Sequence, residues 1–354
     1  MFFATRARPG CRRARSRRCT TCPVFSASSG AGAGQVIAIV DAFPYPNALS
    51  DLNTFNAQYG YAQLSACTSL TQSGPCFEQA DPQRTPRVNS GWVLEESLDI
   101  EWAHAQAPAA KIVLVEAKTN RNANLFNAVT FANSLGATEV SMSWGGGESA
   151  SETSLDADFT RAGTFYTASS GDSGHGSEYP AASPDVIAVG GTTLNGCAGA
   201  SCQFTSETAW SGSGGGASAD EPVPGFQTSY TGPVSGASSI SALTAGNRGI
   251  PDVSFDANPN TGVSIFDSTS DQGQSGWFTV GGTSVGAPNW AGILAAAAAA
   301  GKTALREDTR IYSGGFSTNL RDVTSGTNGT CGTDCTAATG YDLVTGLGSP
   351  INYP

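Results

Sequence analysis

Residues 281–292 read GGTSVGAPNWAG and deliver one serine, Ser284, at the mouth of an alanine-rich helix. Glycine permits the sharp turn, and Pro288 suits a first helical turn. Backbone N–H groups at such a place can face a developing oxyanion, so the chemistry within reach is nucleophilic acyl transfer. A serine hydroxyl is a weak nucleophile until a base takes its proton. The chain holds two histidines, His104 and His175. His104 falls near the end of a predicted helix and His175 beside a glycine-bracketed aspartate, so neither has the setting of a histidine base. Carboxyls offer the other route. In EESLD, Glu95 and Asp99 are four apart, which puts them on one helix face with Cβ atoms about 5–6 Å apart. If the pair is partly buried one pKa rises, and a shared proton lets Glu95 accept the Ser284 proton while Asp99 orients and buffers it. The same spacing describes an ordinary hydrated acidic face. Glu96, three residues from Asp99 and about 100° around the helix from Glu95, is not separated from Glu95 by spacing. Asp172 in SSGDSG reads either as a turn former or as a protonated carboxyl that donates to a tetrahedral oxyanion.

The elements that must position these groups alternate. QVIAIVDAF at 35–43 reads as a buried strand ending at Asp41, followed by a helix at 47–60 and a polar loop at 65–90. A helix at 92–106 stops at Pro108, and strand KIVLVEA, helix NANLFNAVTFANSLG and strand EVSMSW follow. SLDADFTRAG reads as a helix, then TFYTASSGD and DVIAVGGTT as strands, while 195–275 reads as long surface loops. Strand WFTVGGTS feeds the Ser284 helix. This alternation predicts one α/β domain with a doubly wound, mostly parallel sheet flanked by helices. Functional groups collect at the carboxyl ends of strands in such sheets, where Asp41, Asp172 and Ser284 fall.

Composition narrows the partners. The 354 residues carry 18 basic and 29 acidic side chains, a formal charge of −11, and only 13% are charged. Residues 1–34 hold seven arginines and no acid, leaving 11 − 29 = −18 on residues 35–354. Such a body repels nucleic acid and anionic membranes, and no run of 18 apolar residues offers a membrane span. The arginine-rich segment 1–34, with Cys19 and Cys22 in a CxxC, lacks the apolar core of a secretory signal and reads as disordered. Six of the nine cysteines form close pairs, Cys67/Cys76, Cys197/Cys202 and Cys331/Cys335, each bracketing turn residues. Local disulfides in an oxidising compartment fit them, and neither histidine has zinc-ligand spacing to any pair.

Four motifs occur together: GGTSVGAP, SSGDSG, the ExxLD of Glu95 to Asp99, and SMSWGGGE. The set resembles the sedolisin family of serine-carboxyl peptidases, over residues 35–354. That resemblance implies a subtilisin-like fold in a single catalytic domain and acid-acting cleavage of protein or peptide substrates, as endopeptidase or tripeptidyl-peptidase. It implies Ser284 as nucleophile, Glu95 rather than Glu96 as general base, Asp99 as the second carboxyl and Asp172 as the oxyanion acid. An oxyanion-facing Asp172 must carry a proton while Glu95 lacks one, which ordinary carboxyl values permit at roughly pH 3–5. Trp144 and Gly145 fall where the family lines its cleft. RDVTSGTNG and AATGYDLVTGLGSP resemble the family's Ca²⁺ segment, with carboxylates from Asp322 and Asp342 and carbonyls from Val323, Ala338 and Gly340. Oxygen-only ligation suits that hard cation; without the resemblance the two aspartates read as turn residues. A secreted monomer is expected. The rivals are a subtilisin-type peptidase using Asp41, a histidine and Ser284, and an inactive secreted binding relic of the same fold.

Overall fold

Runs of branched apolar residues form the strands at the centre of the molecule, and they are buried on both faces, as parallel strands must be. The computed structural model describes residues 5–6 and 28–351, apart from 70, 84–86, 197–203, 303–310 and 314–318. The main strands in chain order are β1 (Val36–Ala42), β2 (Phe77–Ala80), β3 (Lys111–Ala117), β4 (Glu139–Met142) and β5 (Phe165–Ser169). They continue as β6 (Ile187–Asn195), β7 (Ser206–Ala209), β8 (Val253–Asp256), β9 (Val263–Asp271) and β10 (Gln274–Val280). The long helices are α1 (Ala48–Tyr59), α2 (Ser90–Gln106), α3 (Asn122–Ser134) and α4 (Gly286–Ala299).

The main sheet runs β7-β6-β5-β4-β1-β3-β2, with β8 also on β6. Every pairing in it is parallel except β6 with β7. Alternation sorts the two faces. Ala38, Val40, Val113 and Val115 pack with Leu125, Phe126 and Val129 of α3. Ile37, Ile39, Ile112 and Leu114 pack with residues of α1, α2 and α4 on the other face. The expected doubly wound α/β architecture is the one found.

Three local expectations are corrected. SLDADFTRAG is not a regular helix but part of two short 3₁₀ turns, Glu152–Ser154 and Asp156–Phe159. Asp156 there accepts bonds from Tyr179 Oη and Ser183 Oγ at 2.9 and 2.6 Å, so local polar bonding replaces helix propagation. The polar loop at 65–90 contains β2, which extends the sheet at its edge. The stretch 195–275 is far from being only surface loops. It supplies β7, β8 and β9, and it buries Arg248 completely. The Arg248 guanidinium donates to both Asp252 oxygens at 2.7 and 2.6 Å, and Asp252 also accepts from Tyr312 Oη and Ala188 N. Hydrophobic periodicity carries no signal for an element held by a buried ion pair.

The Cys67–Cys76 and Cys331–Cys335 disulfides are formed; Cys197 and Cys202 lie outside the described residues. Of the arginine-rich segment, Thr5 and Arg6 pair with Thr279 and Phe278 of β10, and residues 1–4 and 7–27 lie outside the described residues. Among the described residues no helix is long and apolar enough to cross a membrane.

Candidate active site

The site begins with α2, whose Asn89 cap accepts bonds from the N–H groups of Gly91 and Trp92. From Val93 to Gln106 every residue of this helix is buried, including Glu95, Glu96, Asp99 and Glu101. The hydrated acidic face that spacing alone allowed is therefore absent. The helix crosses α4 closely enough that a Cβ at Gly292 would meet Gln106 Cβ at 2.5 Å. Gln106 Nε2 then donates to Asn289 Oδ1 at 2.6 Å, and Asn289 Nδ2 to Val285 O at 2.7 Å. This crossing sets the Glu95 carboxyl against the 3₁₀ turn Thr283–Val285 that begins the Ser284 element.

Ser284 and Glu95 line one cleft of about 810 Å³, together with Asp172, Trp144, Gly145, Ser143 and Glu178. The Ser284 hydroxyl acts on the Glu95 carboxyl as a hydrogen-bonding neighbour that favours its ionised form. Burial, then the charges of Asp99 and Asp41, push the other way and hold the Glu95 pKa well above the usual carboxylate range. Asp99 stands behind Glu95, fully buried; burial and then Asp41 raise its pKa, and Ser143 counters the rise. Ser143 Oγ also donates to Ser284 O at 3.3 Å.

Asp172 approaches from the turn after β5. Its Oδ1 accepts from Thr283 N at 2.7 Å and Thr283 Oγ1 at 2.9 Å, which locks it beside Ser284. Gly282 makes that approach possible. Its φ is +110°, and a Cβ there would lie 2.6 Å from Asp172 Oδ2. We expect Gly282→Ala to swing Asp172 away and to lower turnover by roughly a hundredfold, in line with losing an oxyanion donor. Steady-state kinetics beside a melting curve checks this: unchanged turnover in a folded variant would contradict it.

All four expected catalytic residues thus come together, with Trp144 and Gly145 on the cleft wall. Trp144 Nε1 donates to Val40 O at 2.7 Å, which fixes its ring. Neither histidine lines the cleft. His104 is fully buried near the end of α2 beside Ala62 O, and burial pushes its pKa down to about 4. His175 is exposed on the loop beyond Asp172. Spacing did not single out Glu178, Ser143 or Thr283, nor did it show that two acids named in other readings are buried behind the site. Asp41 and Glu96 are fully buried, and no oxygen of either finds a hydrogen-bond donor among the described residues. Burial and then Glu116, its register partner on β3, push the Asp41 pKa up to about 8. Glu178 opens the two-residue strand Glu178–Tyr179, too short to carry a periodic signal, and pairing of that strand with Gly146–Gly147, made only in the fold, brings it to Gly145 and Gly171.

Toward the far end of the chain, Asp322 and Asp342 both reach the backbone at 338–340. Asp322 Oδ2 accepts from Gly340 N, and Asp342 Oδ2 from Ala338 N, each at 2.9 Å. Thr345 Oγ1 reaches Val323 O at 3.5 Å. Burial raises both carboxyl pKa values, that of Asp342 to about 6. Among the described residues no ion pair offsets either carboxylate. Two uncompensated carboxylates beside loop carbonyls are an oxygen donor set of the kind Ca²⁺ takes.

A sequence model of the subtilase family matches residues 89–324, which span Glu95, Asp99, Asp172 and Ser284. Sedolisin of Pseudomonas sp. strain 101 is 29% identical over 364 residues, covering 92% of this chain and 58% of its own length. Kumamolisin of Bacillus sp. strain MN-32 is 33% identical over 285 residues, covering 73% of this chain and 49% of its own. The chain therefore spans about half the length of the curated relatives it matches. The solved structure of Pseudomonas sedolisin, a serine-carboxyl proteinase complexed with two molecules of pseudo-iodotyrostatin, superposes with a TM-score of 0.73 at 28% identity, covering 93% of each chain. On the sequence match, the shared fold and the motifs that carry both, the chain belongs to the subtilase family and, within it, to the sedolisins with their subtilisin-like fold.

Proposed function

We propose that this chain is a serine-carboxyl peptidase that hydrolyses peptide bonds in protein or peptide substrates at acidic pH. Ser284 attacks the scissile carbonyl while Glu95 takes its proton, and Asp99 holds and buffers Glu95 from behind. Asp172 uses Oδ1 to accept from Thr283, so its catalytic proton belongs on Oδ2, donated to the oxyanion of the tetrahedral intermediate. Glu95 then protonates the leaving amine, an acyl-enzyme remains on Ser284, and a water activated by Glu95 releases it. Trp144 and Gly145 bound the path of the substrate chain. The observation that carries this reading is one cleft holding Ser284, Glu95 and Asp172 without either histidine.

The experiment is cleavage of a denatured protein substrate from pH 3 to pH 8. Ordinary carboxyl values set the working window at roughly pH 3–5. The raised Glu95 pKa moves the lower limb upward, because a base works only once ionised. Activity confined to neutral pH that Glu95→Gln leaves intact would overturn the proposal in favour of a histidine base.

Ca²⁺ belongs to the same proposal, held by the Asp322 and Asp342 carboxylates and the carbonyls of Val323, Ala338 and Gly340. When bound it supplies charge compensation that braces the 320–345 segment, and none of the residues that would hold it lines the Ser284 cleft. A ligand at 100 times its Kd stabilises a fold by about 2.7 kcal/mol, so a chelator should lower the melting temperature by several degrees. Asp322→Asn should show the lowered value without chelator; no change in either would sink the site. Two formed disulfides fit an oxidising compartment, and secretion is the localisation proposed.

A further inference from the structure

We propose that Cys331 and Cys335, once reduced, form with His175 a three-ligand site for a thiophilic cation of the Zn²⁺ or Cd²⁺ class. Sequence spacing offered no metal reading for either histidine, because these residues are far apart in the chain. The fold brings a His175 ring nitrogen and the two Sγ atoms within 4.8 Å of one another. Zinc takes Cys sulfur at about 2.3 Å and His nitrogen at about 2.0–2.1 Å, so small side-chain movements close the set around an ion.

The scaffold is held by backbone rather than by the sulfur bridge alone. His175 N donates to Asn328 O at 2.9 Å, and Asn328 N donates to Cys335 O at 3.0 Å. Asn328 Nδ2 anchors the same loop to Ser213 O at 2.8 Å. Gly329 leaves the space between the donors clear, since a Cβ there would meet Cys335 Sγ at 2.7 Å and His175 Cβ at 3.3 Å. Cys335 is buried while His175 and Cys331 are exposed. An ion can therefore enter from solvent and keep one position for water. None of the three lines the cleft of Ser284, and none belongs to the Asp322–Asp342 set.

In the oxidised chain the two sulfurs are bonded to each other, and the exposed Cys331 end gives a reductant access to the bridge. A water-soluble phosphine delivers two electrons to the sulfur–sulfur bond and leaves as its oxide, taking oxygen from water. The two thiols then release their protons to solvent as the metal binds.

The test titrates Cd²⁺ alone into the phosphine-reduced full chain carrying Cys11→Ser, Cys19→Ser and Cys22→Ser, following the thiolate-to-cadmium ultraviolet band. A stoichiometric band dependent on His175 is expected. His175→Ala should weaken it by at least about tenfold, the cost of losing even an outer partner of a metal ligand. His175→Gln provides the same comparison should the alanine variant misfold. Cys331→Ser/Cys335→Ser should remove the His175-dependent part, and Cys67→Ser/Cys76→Ser should keep it. Equal cadmium affinity with and without the imidazole, or a His175-dependent band that survives loss of both Cys331 and Cys335, overturns the site.

Discussion

Ser284→Ala should reduce peptide cleavage at acidic pH by about four orders of magnitude, and Glu95→Gln by a similar factor. The alanine variant has no oxygen to form the acyl-enzyme. The glutamine variant keeps nearly the same shape and burial but cannot take a proton. Because the two act as a unit, the double variant should be little worse than either single one. Both changes leave the cleft walls intact, so KM should move far less than kcat. Glu96→Gln supplies the decisive comparison. Glu96 is fully buried, one residue along α2, and it does not line the cleft. If Glu96→Gln abolished turnover while Glu95→Gln spared it, the assignment of the base would be wrong. Single-turnover measurements on a chromogenic peptide separate these outcomes from a binding defect.

Stability should fall steeply between pH 4 and pH 8. Burial pushes Asp41 from an ordinary 3.8 up to about 8, and Asp256 and Asp267 up to about 7. A carboxyl whose folded pKa lies above its unfolded value holds its proton more tightly in the fold. Its stabilising contribution is therefore complete below about pH 4 and drains as pH rises toward the folded value. Each such group contributes a slope of up to about 1.4 kcal/mol per pH unit in that interval. The three together predict a loss of several kcal/mol and a melting temperature lower by about 10 °C or more. Asp41 and Glu96 sharpen the expectation, since their oxygens meet no donor among the described residues and an ionised pair there would be unsolvated. Asp41→Asn should flatten the slope, whereas added salt, which screens only exposed charge, should not. A melting temperature constant from pH 4 to pH 8 would refute the argument.

Much of this molecule is legible without coordinates. The strands VIAIVDA and KIVLVEA, the helices at 48–59, 90–106 and 122–134, and the parallel sheet follow from periodicity. Periodicity survives because each of these elements faces the core by a fixed repeat. It fails at 195–275, where the buried Arg248–Asp252 pair and short strands take the place of an apolar repeat. It also fails at SLDADFTRAG, where Asp156 spends its acceptors on Tyr179 and Ser183.

What the residues determined by themselves was local: a glycine-backed serine turn, a carboxyl pair on one helix face, a glycine-bracketed aspartate and closely spaced cysteines. Those are properties of a few neighbouring residues, and backbone geometry is sufficient to express them. Only the tertiary structure chose among their meanings. The packing of α2 against α4 and the Ser284 turn set Glu95 beside Ser284 and buried the helix from Val93 to Gln106, converting an ordinary acidic face into a proton-holding one. Packing around α2 sent His104 into the core, and backbone bonds through Asn328 carried His175 to the Cys331–Cys335 loop. Desolvation and approach distance depend on atoms supplied by segments far apart in the chain, and no local pattern encodes them.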